Sequence, residues 1–281
     1  MNISLKEICV EVCAIARRAG KFIADERGNF SSDRVESKGA NDFVSYVDRT
    51  AEEIIVKELN PLMDAGFITE EKTVKQSRTQ PFKWIIDPLD GTTNYIHGLS
   101  PFAVSIALVD SARVPLLGVV YLISENECFY ASKGDCAYLN GEVIKPSNVT
   151  EIKDSLFISG FPHKVGADIE KYLNAIRRLT VASHGVRRLG SAAADLAYIA
   201  CGRADVFFQT NLSPWDVAAG ALVAQCAGAT VTDFAGGDSH IFGKSIAAAS
   251  CASLNEQCRK LLEEFFPAEC SPESPTPDFD F

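Results

Sequence analysis

Apolar residues recur at helical spacing near the start of the chain. Leu5, Ile8, Cys9, Val12, Ile15, Ala16 and Ala19 fall on one face, so residues 3–26 are expected to form a helix packed by that stripe. Lys6, Glu7, Glu11 and Arg17 interrupt it, which describes an amphipathic helix and not a signal peptide. A polar, glycine-containing stretch follows from Gly28 to Asn41. Helical spacing returns from about Asp48, with Ala51, Ile54, Ile55 and Leu59 as the buried stripe. Phe67-Ile68-Thr69 reads as a short strand ending at Glu70-Glu71, and the polar residues 72–82 as a mobile loop. Strands are expected at 83–87, 102–109, 116–122, 127–131 and 136–139, with Asn140-Gly141 as a hairpin turn. Beyond Pro146 strands near 155–159, 204–208, 229–233 and 245–249 alternate with helices at 168–179, 191–201, 214–227 and 254–265.

The change of pattern divides the chain into an N-terminal α+β part, 1–145, and a C-terminal α/β part, 146–266, with a boundary near 143–150. Pro267–Phe281 holds four prolines and several acids and is expected to be disordered. No apolar run approaches the roughly 20 residues of a membrane span.

Composition narrows the function. The chain has 281 residues, 47% hydrophobic and 23% charged, with a formal charge of −10. That charge disfavours nonspecific binding to nucleic acid or anionic lipid. Nine cysteines without a C-x-x-C, and only four histidines, argue against a zinc site and for reduced thiols in a cytoplasmic protein.

The densest chemistry lies in Trp84–Asn94, W-I-I-D-P-L-D-G-T-T-N. An apolar strand stops at Asp87, Pro88 keeps Asp87 out of the helical region, and Asp90 stands where a helix N-cap would. A strand tip so built can hold a divalent cation, and the N–H groups of the following helix can hold phosphate. Residues 84–101 contain no Lys or Arg to neutralise these acids. Further acids stand at element boundaries: Asp42 and Asp48, Glu70-Glu71, and Asp216 in P-W-D-V-A-A-G. Each alone is more often a cap or a solvated side chain than a ligand. Converging, they would repel one another unless hard cations such as Mg²⁺ lay between them. His97 is expected at the surface or behind the site, Asp233 in a turn, and Arg187 and Arg188 either in surface ion pairs or facing an anionic substrate or partner.

E-E, then D-P-L-D-G-T-T-N, then W-D-V-A-A-G resembles the inositol monophosphatase family, over roughly residues 5–265. K-G-A-N-D-F-V-S-Y-V-D, F-A-V-S-I-A and R-R-L-G-S-A-A-A-D-L-A-Y are similar to its bacterial branch. The resemblance implies a layered α/β/α/β/α sugar-phosphatase fold, a homodimer, and a Mg²⁺-dependent, lithium-sensitive phosphatase using metal-activated water without a phosphoenzyme. It places one ion on Glu70, Asp87 and the Leu89 carbonyl, a second on Asp87, Asp90 and Asp216, and a third near Glu70. Thr92, assisted by Glu70 and linked to Asp48, orients the attacking water, and the N–H groups of Gly91 and Thr92 cradle the phosphate. Asp90, Asn94, Gly190, Ser191, Ala192, Gln209 and Asp216 face the substrate. Lys38 is either near the site or a surface lysine.

Gln209 stands where the family usually carries a glutamate that binds inositol hydroxyls, and Ser213 replaces a longer polar residue. Thr69 and Lys72 flank the Glu70-Glu71 pair in place of a common G-E-E-S. The substrate therefore stays open among inositol 1-phosphate, histidinol phosphate, fructose 1,6-bisphosphate and a 3′(2′),5′-bisphosphate nucleotide. The G-S-A segment favours inositol 1-phosphate. A role as a regulatory binding protein of the transcription machinery is the alternative of another class.

Overall fold

The computed structural model describes residues 4–28, 35–39, 42–76, 80–161 and 169–267, with only the backbone described at 35–39 and 42–45. The expectations for the tail, for Lys38 and for the Asp42 side chain lie outside the described residues.

Alternation along the strands dictates five layers. β3 (Gly66–Thr69), β4 (Phe82–Asp90), β5 (Ala103–Asp110), β6 (Pro115–Leu122), β7 (Glu127–Ser132), β8 (Ala137–Leu139) and β9 (Glu142–Val143) form one sheet in sequence order. Its pairs are antiparallel except β3 with β4. One face presents Trp84, Ile86, Val104, Ile106, Leu117 and Val119 to α1 (Leu5–Arg27) and α2 (Tyr46–Leu59). The opposite face, through Ile85, Ala107, Val120 and Phe129, packs on α5 (Ala192–Ala200) and α6 (Pro214–Ala227).

Those two alanine-rich helices are covered on their other side by a second sheet. Its order is β11 (Val186–Arg187), β10 (Phe157–Ser159), β12 (Val206–Thr210), β14 (Ser245–Ala249), β13 (Thr230–Thr232). Its outer face, Phe157, Val206, Phe208 and Ala249, packs on α4 (Ile169–Ala182) and α7 (Ala252–Glu263). The expected α/β/α/β/α layering is thus present. The middle core mixes residues from both sides of position 145.

Small residues let the middle layer lie close to the first sheet. A Cβ at Gly118 of β6 would stand 2.6 Å from the Ala219 carbonyl of α6. The hairpin at Asn140-Gly141 forms as expected, with both residues at positive φ and Leu139 paired to Glu142.

Some local expectations change. β4 does not end at Asp87; it continues through Pro88 to Asp90, with its register on β5 shifted between Asp87 and Asp90. In the α2 stripe Ile54 is only half-buried, whereas Glu52 is fully buried. Nor is the first part of the 72–82 segment a free loop. Glu52 Oε1 accepts from the Thr73 N–H at 2.7 Å and Oε2 from the Glu71 N–H at 2.8 Å, while Gln76 Oε1 accepts from the Thr69 N–H. Residues 77–79 lie outside the described residues. Two strands to which the sequence pattern assigned no element, β1 (Val35–Gly39) and β2 (Asp42–Ser45), pair antiparallel.

Candidate active site

Asp87 shares a strand face with Ile85, because the two are separated by one residue. It therefore points into the middle layer, where it is 1% exposed. Across the ladder it pairs with Ser105 of β5. Ser105 Oγ donates to the Trp215 carbonyl at 3.0 Å, which fixes the first turn of α6 beside β4. The next residue is Asp216. Its Oδ2 accepts from the Ser213 N–H at 2.7 Å, so the acid that opens the helix is held by the helix's own start.

Asp87, Asp90 and Asp216 each offer a carboxylate oxygen within 4.8 Å of the others. Burial pushes the Asp87 carboxyl well above the usual range, and the charges of Glu70, Asp90 and Asp216 push it further. Burial and then the Asp90 charge raise Asp216 to about 8, against the smaller opposing effect of the Ser213 N–H. Such a set of hard oxygens lacks only positive charge, and it can hold a divalent cation. Glu70 lines the same cleft but stands outside the tightest group of three. Its loop is held in place by Glu52.

Asp90 corrects one expectation. It does not cap the helix that follows it. Gly91, at φ 94°, is the N-cap of α3 (Thr92–His97) and provides no side-chain cap. Asp90 Oδ2 instead accepts from Ser191 Oγ and the Ala193 N–H, both at 2.7 Å, at the start of α5. A residue about a hundred positions away is thereby tied to the strand tip, and the Ser191 hydroxyl is engaged with Asp90.

Thr92 Oγ1 lies 3.1 Å from Asp48 Oδ1 and 3.0 Å from the Leu89 carbonyl. Asp48 is 2% exposed, on the first turn of α2. The Leu89 N–H donates to Asp87 Oδ1 at 2.9 Å, which closes the turn around Pro88.

Most of these residues line one cleft. Glu70, Asp87, Leu89, Asp90, Gly91, Thr92, Gly190, Ser191, Ala192, Gln209 and Asp216, drawn from five separated segments, all line it. Asn94 does not. Its amide donates to the Pro101 and Leu189 carbonyls at 2.7 Å, so it braces the Gly190 turn and makes no wall of the cleft. His97 is exposed, and Asp233 closes a turn by accepting from the Gly237 N–H.

Five lining residues were not anticipated with a role: Thr93, Gly160, Phe161, Asp195 and Leu212. Asp195 is 1% exposed, and its Oδ1 has no hydrogen-bond partner. Burial and the Asp90 charge raise its pKa well above the usual range, and Arg188 opposes them. Its signal in the sequence was an acid one helical turn after Ser191 in an otherwise apolar helix.

The sequence profile of the Inositol monophosphatase family matches residues 4–265. The Nus factor SuhB of Escherichia coli strain K12 is 40% identical over 250 residues, covering 89% of this chain and 93% of that protein. The inositol-1-monophosphatase of Mesorhizobium japonicum is 38% identical over 236 residues, covering 84% of this chain and 88% of its own length. Among solved structures, the extragenic suppressor protein suhB from Bartonella henselae superposes with a TM-score of 0.82 at 36% identity, covering 91% of this chain and 98% of that one.

Proposed function

This chain belongs to the inositol monophosphatase family and is a phosphatase, and on that premise we propose that it hydrolyses a small phosphorylated alcohol, inositol 1-phosphate first among the candidates, with Mg²⁺. The observation that carries the reading is the meeting of the Asp87, Asp90 and Asp216 carboxylates within 4.8 Å, with Glu70 beside them. Their chemistry fits hard divalent ions: all oxygen, all anionic in the working state, with charges that raise one another's pKa. We assign Glu70, Asp87 and the Leu89 carbonyl to one ion, and Asp87, Asp90 and Asp216 to another. When bound, such ions supply a lower pKa for water and neutralise charge on the phosphate and the leaving oxygen.

The chain's own groups do the rest. With its proton directed to Asp48 or the Leu89 carbonyl, Thr92 Oγ1 presents lone pairs to the cleft and orients the attacking water. Glu70 takes the water's proton. The N–H groups of Gly91 and Thr92 face the phosphate oxygens, and Gly91 reaches its φ of 94° without strain. Gln209, buried against Gly160, forms the far wall with Ala192 and contacts the alcohol. In this reading the protein works as a cytoplasmic homodimer. Among the described residues no helix is long and apolar enough to cross a membrane.

The test is phosphate release from inositol 1-phosphate, histidinol phosphate, fructose 1,6-bisphosphate and a 3′(2′),5′-bisphosphate nucleotide, with Mg²⁺ titrated from zero. Release from inositol 1-phosphate that requires Mg²⁺ and falls with lithium is expected. Absence of Mg²⁺-dependent release from all four refutes the assignment.

The printed name of the Escherichia coli relative, a Nus factor, supports a second reading in which the protein also binds transcription machinery. Direct binding to purified RNA polymerase tests it. Failure of wild-type protein to bind at micromolar concentration rejects it.

A further inference from the structure

Two arginines stand side by side at the edge of the second sheet, yet they face different surroundings. Both are exposed; Arg187 lies in β11 and directs one guanidinium nitrogen to the Val186 carbonyl. Arg188 lines the cleft and, among the described residues, is the one basic residue that does. Its guanidinium lies across Gly190: a Cβ at that position would stand 2.6 Å from Nη1. Gly190 has a φ of 92° and is braced from the other side by Asn94, so the turn is shaped to let the arginine reach over it.

The buried Asp195, one turn into α5, lines the same cleft and feels the Arg188 charge. Asp195 Oδ1 nevertheless has no hydrogen-bond partner, and no hydrogen bond or ion pair joins the two side chains. Asp195 therefore does not take up the guanidinium donors on the cleft side. A guanidinium presents five N–H groups in a planar fork suited to carboxylate or phosphate. Its neighbours in the cleft are otherwise acids, neutral polar groups and the apolar Phe161 and Leu212.

We propose that Arg188 is a specificity-determining residue that binds a second anionic substituent, phosphate or carboxylate, on the alcohol portion of the substrate. Esters carrying such a group are then preferred over matched esters without one. This rests on the phosphatase reading for the position of the scissile phosphate, and it moves the bisphosphate candidates ahead of inositol 1-phosphate, which carries no second anion.

The experiment compares fructose 1-phosphate with fructose 1,6-bisphosphate, which share one ester, in wild type, Arg188→Gln, Arg188→Lys and Arg187→Gln. Wild type is expected to favour the bisphosphate. Arg188→Gln raises KM for the bisphosphate by about 10- to 100-fold, the range for a lost bidentate charged contact, and leaves kcat within about threefold. Arg188→Lys recovers part of the loss. Arg187→Gln changes neither substrate by more than about twofold, a control for screened surface charge. Equal effects of the two glutamine variants, or equal loss on both substrates, overturn the proposal. Calorimetric binding of both esters to Thr92→Val protein with Mg²⁺ separates the two readings. If the wild-type protein releases no phosphate but Arg188→Gln in the Thr92→Val background selectively weakens binding of the bisphosphate, the phosphatase reading fails and the anion site stands. Equal affinity for both esters, with Arg188 intact, rejects the anion site whatever the turnover.

Discussion

Removing one acid is expected to stabilise the metal-free protein. In the folded chain Asp216 is raised from 3.8 to about 8, first by burial and then by Asp90. The folded state therefore binds this proton more tightly than the unfolded state. Stability is fully present below about pH 4, falls as pH rises, and has lost this contribution once pH passes about 8. About four pKa units at ~1.36 kcal/mol each set a ceiling near ~6 kcal/mol. Partial exposure and water entry reduce it, and about 2 kcal/mol is expected at pH 8.5. Asp216→Asn keeps the shape and an oxygen to accept from the Ser213 N–H. In EDTA at pH 8.5 the variant should melt higher than wild type by about 5 °C, from roughly 2–4 °C per kcal/mol for a chain of this size. At pH 4 the two should coincide. Added Mg²⁺ should raise the wild-type melting temperature and leave the variant nearly unchanged. A variant that melts at or below wild type in EDTA at pH 8.5 refutes the claim that these carboxylates repel one another.

Asp90→Asn should reduce Mg²⁺-dependent phosphate release by at least about 1000-fold, because on the proposed assignment it removes a metal ligand. It should also speed hydrogen exchange at the start of α5, where Asp90 accepts from the Ala193 N–H; steady-state kinetics and exchange mass spectrometry check the two effects. Thr92→Val should lower kcat about 100-fold with KM within about threefold, the size expected for losing a group that positions the nucleophile. Gly118→Ala should cost about 3 kcal/mol or more by forcing β6 and α6 apart, read by urea denaturation.

The sequence made some of this legible and hid the rest for physical reasons. The helices and most strands follow from local periodicity. The convergence of Glu70, Asp87, Asp90 and Asp216 was legible through motif resemblance and the repulsion that demands a cation. Asp90 was misassigned because its partners, Ser191 and Ala193, lie about a hundred residues downstream, while the adjacent Gly91 offered a nearer helix start to cap. Glu52 was missed because a charge on an amphipathic helix ordinarily faces water. Here four hydrogen bonds from Thr69, Glu71 and Thr73 satisfy its buried carboxylate. Asp195 needed the other layers to be placed before its lack of a partner could be noticed.

The single hydrogen bond from Ser105 to the Trp215 carbonyl has a consequence for biosynthesis. It joins a hairpin made early to a helix translated more than a hundred residues later, and only that late arrival delivers the third acid. A nascent chain can shape its first sheet while its ion cage is still open on one side. Firm capture of the ion then reports that the last layers have docked.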